Sequence, residues 1–162
     1  MKRSDFNKVN KYISGILKKI EIPANGQIPH PYTSVTANKK IYGTTIFCWD
    51  NFHMALRYAY DGRPEYFKYL ADNLLSYQRR NGFTPNCINK DFGVNPKNKF
   101  HAQPFLMQAA FLYYDMTKDV NWLKSVYRKL CNYISYYEEN LQTEDGLFFW
   151  GETWHGGIDN DI

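Results

Sequence analysis

The stretch that decides the fold is residues 103–140, which reads QPFLMQAAFLYYDMTKDVNWLKSVYRKLCNYISYYEEN. Its apolar residues recur at steps of three and four over 103–117 and again over 120–140, a spacing typical of two amphipathic helices. Lys118 and Asp119 alone separate the two segments, and Asp119 stands where it can cap the second helix. Because so short a connection makes neighbouring helices antiparallel, the stretch predicts an αα-hairpin.

A second hairpin is predicted before the first, from residues 49–60 and 64–80, which are joined by the short turn 61–63. Pro64 near the start and Gly82 just past the end mark the bounds of its second helix. A further amphipathic helix is expected over 5–20, followed by a loop over 21–47 with a short extended piece at 33–36. The sequence therefore predicts an all-α fold of stacked αα-hairpins. The expected buried stripes are Phe52, Leu56 and Ala59; Tyr66, Leu70, Leu74 and Tyr77; Phe105, Ala109, Leu112 and Met116; and Trp122, Val126, Leu130, Ile134 and Tyr137.

The long connections of this stack lie at one end, together with the start of each hairpin's first helix. Connections of about 20 residues inside a compact domain are usually functional or disordered, and the aromatic residues in these connections argue against disorder. Trp, amide and carboxylate side chains dominate this edge. Sugars are bound by that chemistry, because amides and carboxylates hydrogen-bond hydroxyls while aromatic faces pack on the apolar side of the ring. The candidate site residues are Trp49, Asp50, Asn86, His101, Gln103, Trp150, Glu152 and Asp159.

Each candidate also has a structural interpretation. Asp50 could cap the helix that it begins, and Trp49 could belong to the core. Asn86 could form a local turn after Pro85, and Gln103 could be a solvated first-turn residue. The evidence from the sequence is the joint placement of these residues on one edge.

Length, charge and cysteine content exclude several classes of function. The 162 residues suit one domain, and the net charge of +4 carries no long basic run that would suggest nucleic acid. Three widely spaced cysteines predict reduced thiols, and no signal peptide or membrane-length apolar run is evident. The sequence therefore favours a cytoplasmic protein with no membrane partner, no cofactor and no metal site. The aromatic fraction of 18% is high, and it is divided between the helix stripes and the loop edge.

Four short motifs, in chain order, resemble the catalytic domain of six-hairpin glycosidases. Those enzymes include the trehalases of glycoside hydrolase family 37 and the family 63 enzymes, among them mannosylglycerate hydrolases. The resemblance covers about residues 42–161 and the first part of that domain. It implies an incomplete (α/α)6 toroid, with residues 1–41 as an N-terminal helix and loop and 42–162 as the first barrel hairpins. The motifs are Trp49-Asp50, Gly82-Phe83-Thr84-Pro85-Asn86, His101-Ala102-Gln103-Pro104 and Gly157-Ile158-Asp159-Asn160.

The resemblance implies inverting hydrolysis of an α-glycosidic bond in a disaccharide or oligosaccharide. It assigns Asp159 as the general acid, and it places Trp49, Asp50, Asn86 and Gln103 around the sugar. His101 stands where the family has an Arg, a departure that favours another α-glucoside or an α-mannoside over trehalose itself. An inverting enzyme needs a second carboxylate as base. The family's Glu for that role comes later than Ile162, so a fragment that is inactive alone is expected, and a second chain could complete the barrel.

Two other functions remain open at this stage. One is a non-enzymatic αα-repeat module that binds protein partners. The other is a sugar-active αα-barrel of different chemistry, an epimerase or a lyase, for which His53 or His101 would serve as base.

Overall fold

A computed structural model describes residues 3–36 and 42–149 of the chain. Five helices dominate these residues, so the all-α prediction is confirmed. The helices are α1 (Arg3–Ile20), α2 (Cys48–Tyr60), α3 (Glu65–Ser76), α4 (Phe105–Thr117) and α5 (Val120–Asn140). The strands are short: β1 (Glu21–Ile22), β2 (Tyr32–Thr33), β3 (Thr45–Phe47) and β4 (Cys87–Asn89).

Both predicted hairpins are present, α2 with α3 and α4 with α5. Asp119 caps α5 as predicted, since its Oδ1 accepts a hydrogen bond of 3.0 Å from the backbone N–H of Trp122. The two hairpins stack because α4 packs against both α2 and α3, and α5 packs against α3 and α4. The apolar core between them is continuous from Phe52 through Leu74 to Leu130.

The predicted stripe of α4 is partly wrong. The helix buries Leu106, Ala109, Ala110 and Tyr113, whereas Met116 is exposed. Apolar residues surround nearly the whole of this helix, so periodicity alone does not distinguish the face that packs on α2 and α3. Two further stripe residues, Leu56 and Ile134, are also exposed. Ile134 and Met107 line two adjoining open grooves along α4 and α5, of about 490 and 460 Å³.

The segment before α2 contains more structure than predicted. Strand β1 pairs with β2, and β3 pairs with β4, both antiparallel. Buried amides join this segment to the first hairpin: Asn51 donates to the carbonyl and hydroxyl oxygens of Thr33 at 2.8 and 2.7 Å. Asn73 exchanges two hydrogen bonds with the backbone of His30. At the α2–α3 turn, the Arg63 guanidinium lies 2.6 Å from Glu21 Oε1.

Helix α3 ends at Ser76, four residues before the predicted end. The chain then turns, and the backbone N–H of Arg79 donates to Phe83 O at 2.8 Å.

Among the helices of the described residues, none combines the length and the apolar character that crossing a bilayer requires.

Glycine is required at position 82. Gly82 has φ +87°, and a Cβ at this position would overlap the backbone carbonyl of Asn132 in α5. Gly62 has a similar φ of +82° but has open space around it. Comparing substitutions at the two glycines therefore distinguishes the cost of backbone strain from the cost of steric overlap.

We expect Gly62→Ala to lower the free energy of unfolding by about 1–2 kcal/mol, the cost of a left-handed conformation for an L-residue. Gly82→Ala should lower it by about 2 kcal/mol more, because the methyl group must also displace α5. Urea unfolding monitored by circular dichroism measures both values. Equal losses for the two variants would show that the approach to Asn132 does not constrain the fold.

Candidate functional site

Two loop segments meet at the start of α2. Strand β3 pairs with β4 so that Phe47 lies opposite Cys87. The first residue of α2 continues this contact, since the backbone N–H of Cys48 donates to Asn86 O at 2.8 Å. The motif that begins with Trp49 therefore lies directly beside the motif that ends with Asn86.

The third segment, around Gln103, is joined to the same edge. The N–H of Asn86 donates to Phe100 O at 3.0 Å, and the N–H of Ala102 donates to Thr84 O at 2.7 Å. Helix α5 also holds this segment, because the Tyr133 hydroxyl donates to Gln103 O at 2.8 Å. Three of the four motifs are thus brought together by the backbone, as their placement in the sequence predicts.

Trp49 and Asp50 form the first turn of α2 and face outward. The Trp49 side chain is 38% exposed, and one ring packs edge-on against Phe105 with centroids 4.8 Å apart. Asp50 is exposed but is not the N-cap, which is Phe47, so the capping interpretation is wrong. A carboxylate in this turn is favoured by the helix dipole.

Asn86 and Gln103 are less accessible. Asn86 is half-buried, and its Oδ1 accepts from Asn98 Nδ2 at 3.4 Å. Gln103 is buried, so the interpretation of this residue as a solvated first-turn glutamine is wrong. The thiol of Cys48 donates to Gln103 O at 3.6 Å, which ties Gln103 to the first turn of α2.

His101 lies inside the protein. Its Nδ1 accepts a hydrogen bond of 3.0 Å from the N–H of Thr84, and its Nε2 lies 3.3 Å from Tyr133 O. The ring is 5% exposed, and burial lowers its pKa from 6.5 to about 4. With both nitrogens bound to the backbone, His101 presents neither to a sugar in this arrangement.

The thiols of Cys48 and Cys87, near this edge, are not activated as nucleophiles. Burial raises the pKa of Cys48 to about 12 and that of Cys87 to about 11, so both thiols stay protonated at neutral pH. No three His, Cys, Asp or Glu side chains in residues 3–36 and 42–149 come together as metal ligands.

The remaining candidates, Trp150, Glu152 and Asp159, lie outside the described residues, so their roles stay predictions. The described chain leads up to them through Phe148 and Phe149, which line the groove of about 460 Å³ beside Pro104.

The sequence did not identify the residues that support the site from α5. The Tyr137 hydroxyl donates to Ala102 O at 2.6 Å, and the Tyr133 hydroxyl, which donates to Gln103 O, also lies 3.0 Å from Ala102 O. Their signal in the sequence is the run Tyr133-Ile134-Ser135-Tyr136-Tyr137. Its three tyrosines lie three and four residues apart, so they share one face of the helix. Buried tyrosines need a partner for the hydroxyl, and backbone carbonyls of an irregular loop supply one.

His101 makes the stability of the protein depend on pH. Between pH 6.5 and pH 4 the unfolded chain binds a proton at this ring and the folded chain does not, so the free energy of unfolding falls as the pH falls. From pH 6.5 to pH 5 we expect a loss of about 2 kcal/mol from His101. Urea unfolding at both pH values measures it in the unaltered chain, in His101→Gln and in His53→Gln.

His53 is the matched control, because it is an exposed histidine on α2. The His53→Gln variant should keep the full pH dependence, whereas His101→Gln should lose about 2 kcal/mol of it. The same pH dependence in all three proteins would contradict the assignment of a buried neutral imidazole to His101.

Comparison with known families agrees with one part of the resemblance noted from the motifs, the part that concerns mannosylglycerate hydrolases. The family model described as "Mannosylglycerate hydrolase MGH1-like glycoside hydrolase domain" matches residues 44–162. No curated protein and no solved structure matches the chain. The matched residues contain all four motifs and both hairpins, and they make up well over half of the sequence. The chain therefore belongs to the family of MGH1-like glycoside hydrolase domains.

Proposed function

We propose that this chain carries the general acid and the bound-sugar subsite of an inverting glycoside hydrolase. Membership of the family implies a carbohydrate substrate. The proposed substrates are α-glycosides: an α-glucoside, a trehalose-like disaccharide or an α-mannoside. The observation that carries the proposal is the joining of three motifs, those of Trp49, Asn86 and Gln103, by backbone hydrogen bonds at one edge.

The subsite is proposed to bind one sugar ring through one aromatic face and several polar groups. Trp49 offers a partly exposed indole, on which the apolar face of a pyranose can pack. Asp50 is the proposed partner for a pair of hydroxyls, since an ionised carboxylate accepts two hydrogen bonds. Asn86 and Gln103 would bind further hydroxyls. Trp150 and Glu152 are proposed to complete the subsite from the neighbouring segment.

The proposed reaction begins with Asp159. As a general acid it donates its carboxyl proton to the glycosidic oxygen, and the bond between that oxygen and the anomeric carbon breaks. A second carboxylate, about 6.5–9.5 Å from the acid, takes a proton from the water that attacks the opposite face. Asp159 must be protonated at neutral pH for this role, which requires a raised pKa from burial or from a neighbouring carboxylate such as Glu152.

Sugar binding provides the first test. We expect Trp49→Ala to weaken the binding of the best α-glycoside about tenfold, because the loss of a ring-stacking contact costs about 1.4 kcal/mol. Isothermal titration calorimetry with methyl α-mannoside, mannosylglycerate, maltose and trehalose measures the affinities.

Tyr60→Ala is the matched control, since Tyr60 is an exposed aromatic residue at the opposite end of the same helix. This variant should keep the affinity of the unaltered chain. Equal affinities in both variants, or the absence of binding to any of the four sugars, would contradict the proposed subsite.

Turnover provides the second test. We expect the 162-residue chain alone to release no sugar from these substrates, because none of its Glu residues is assigned as the base. Reducing-sugar release over a long incubation measures this. Hydrolysis that disappears in Asp159→Asn would contradict the expected inactivity and would identify Asp159 as the acid. Hydrolysis that survives in that variant would contradict its proposed role.

A further inference from the structure

His101 lies at the centre of a buried aromatic cluster. Its ring stacks on Tyr133, with centroids 4.7 Å apart and an interplanar angle of 22°. Tyr136 lies 4.5 Å away at 32°, and Tyr137 presents an edge at 4.7 Å. Phe83 closes the remaining side at 5.7 Å. The ring is therefore held in one orientation by four aromatic neighbours.

The hydrogen bonds fix the protonation state of the imidazole. The N–H of Thr84 is a donor, so Nδ1 must be the acceptor and carries no proton. The backbone carbonyl oxygen of Tyr133 is an acceptor, so Nε2 must be the donor and carries the proton. Each contact requires the same neutral tautomer. Lysine or arginine at this position could not accept the hydrogen bond from Thr84, because neither has an acceptor atom.

The imidazole joins the two loop segments that carry Asn86 and Gln103. Thr84 bonds to the second segment twice: its N–H donates to the His101 ring, and its carbonyl accepts from the N–H of Ala102 at 2.7 Å. Through Nε2, the same ring attaches both segments to α5. The ring nitrogens therefore act together with the backbone hydrogen bonds to fix residues 84–86 relative to residues 101–103.

We propose that His101 is a positioning residue, whose neutral imidazole sets the separation of Asn86 and Gln103 in the sugar subsite. This inference rests on the proposed function for its link to sugar binding. It gives His101 a role that needs no contact with the sugar.

Burial of the ring lowers the pKa of His101 to about 4, so the imidazole is neutral at neutral pH. The titratable groups that face it from α5 are the phenols of Tyr133, Tyr136 and Tyr137, and burial raises the pKa of Tyr133 and Tyr137. On the side of residues 77–86, the Arg79 guanidinium lies 4.3 Å from the centroid of the Phe83 ring, which itself contacts the imidazole. A cation in that place does not favour a protonated imidazole.

The test compares two variants of His101, in each of which a side-chain amide takes the place of one of the two ring nitrogens. In His101→Asn the Oδ1 stands near the position of Nδ1 and can accept from Thr84. In His101→Gln the amide stands near the position of Nε2 and can donate to Tyr133 O, while the Thr84 N–H loses its acceptor. We expect the Asn variant to bind the α-glycoside within about threefold of the unaltered chain and the Gln variant at least tenfold more weakly. Equal loss in both variants, or no loss in the Gln variant, would overturn the proposal.

Nitrogen-15 NMR of the unaltered chain tests the positioning without any sugar. The His101 ring should show an unprotonated Nδ1 and a protonated Nε2 from pH 8 down to pH 5. The amide resonances of Thr84 and Asn86 should shift in the Gln variant and stay close to their original positions in the Asn variant.

These NMR results distinguish failure of the inference from failure of the proposed function. A His101 ring that titrates near pH 6.5, or that carries its proton on Nδ1, would overturn the positioning role even if the sugar binds. The expected tautomer and amide shifts in a chain that binds no α-glycoside would support the positioning of the two loops and contradict the sugar subsite.

Discussion

Asn86 is the residue at which three separate segments of the chain are joined. Its carbonyl accepts from the N–H of Cys48 at the start of α2, and its own N–H donates to Phe100 O. Asn86 itself lies just outside β4, and these hydrogen bonds satisfy its backbone groups. Everything proposed for the site depends on this junction, because it brings Trp49 and Gln103 to the same edge.

The junction is in turn supported by buried phenols of α5. Tyr133 and Tyr137 occupy the apolar side of the loop with their rings and bind its carbonyls with their hydroxyls. A helix is rigid over this length, so it can hold an irregular loop in one geometry. The many aromatic residues of the chain therefore have two roles. Some rings fill the space between helices, and some tyrosines place their hydroxyl groups at the site.

Local patterns predicted the helices well, since periodicity and the cap at Asp119 depend on neighbours in the sequence. The pairing of β3 with β4 was missed, because its strands are short and far apart in the chain. The burial of His101 was also missed. Its motif position suggested a sugar ligand, whereas its ring is bound by Thr84 and by the carbonyl of Tyr133, 32 residues further on. Contacts of that range have no local signal.

The most direct measurement of the central claim is an amide-resolved NMR titration of the chain with the α-glycoside that it binds best. If the three joined segments form the sugar subsite, the largest shift changes will fall in residues 48–50, 84–87 and 101–104. The short turns at 61–64 and 118–119, at the opposite end of the hairpins, will stay unchanged. Shift changes concentrated at those turns, or spread evenly over the chain, would contradict the account.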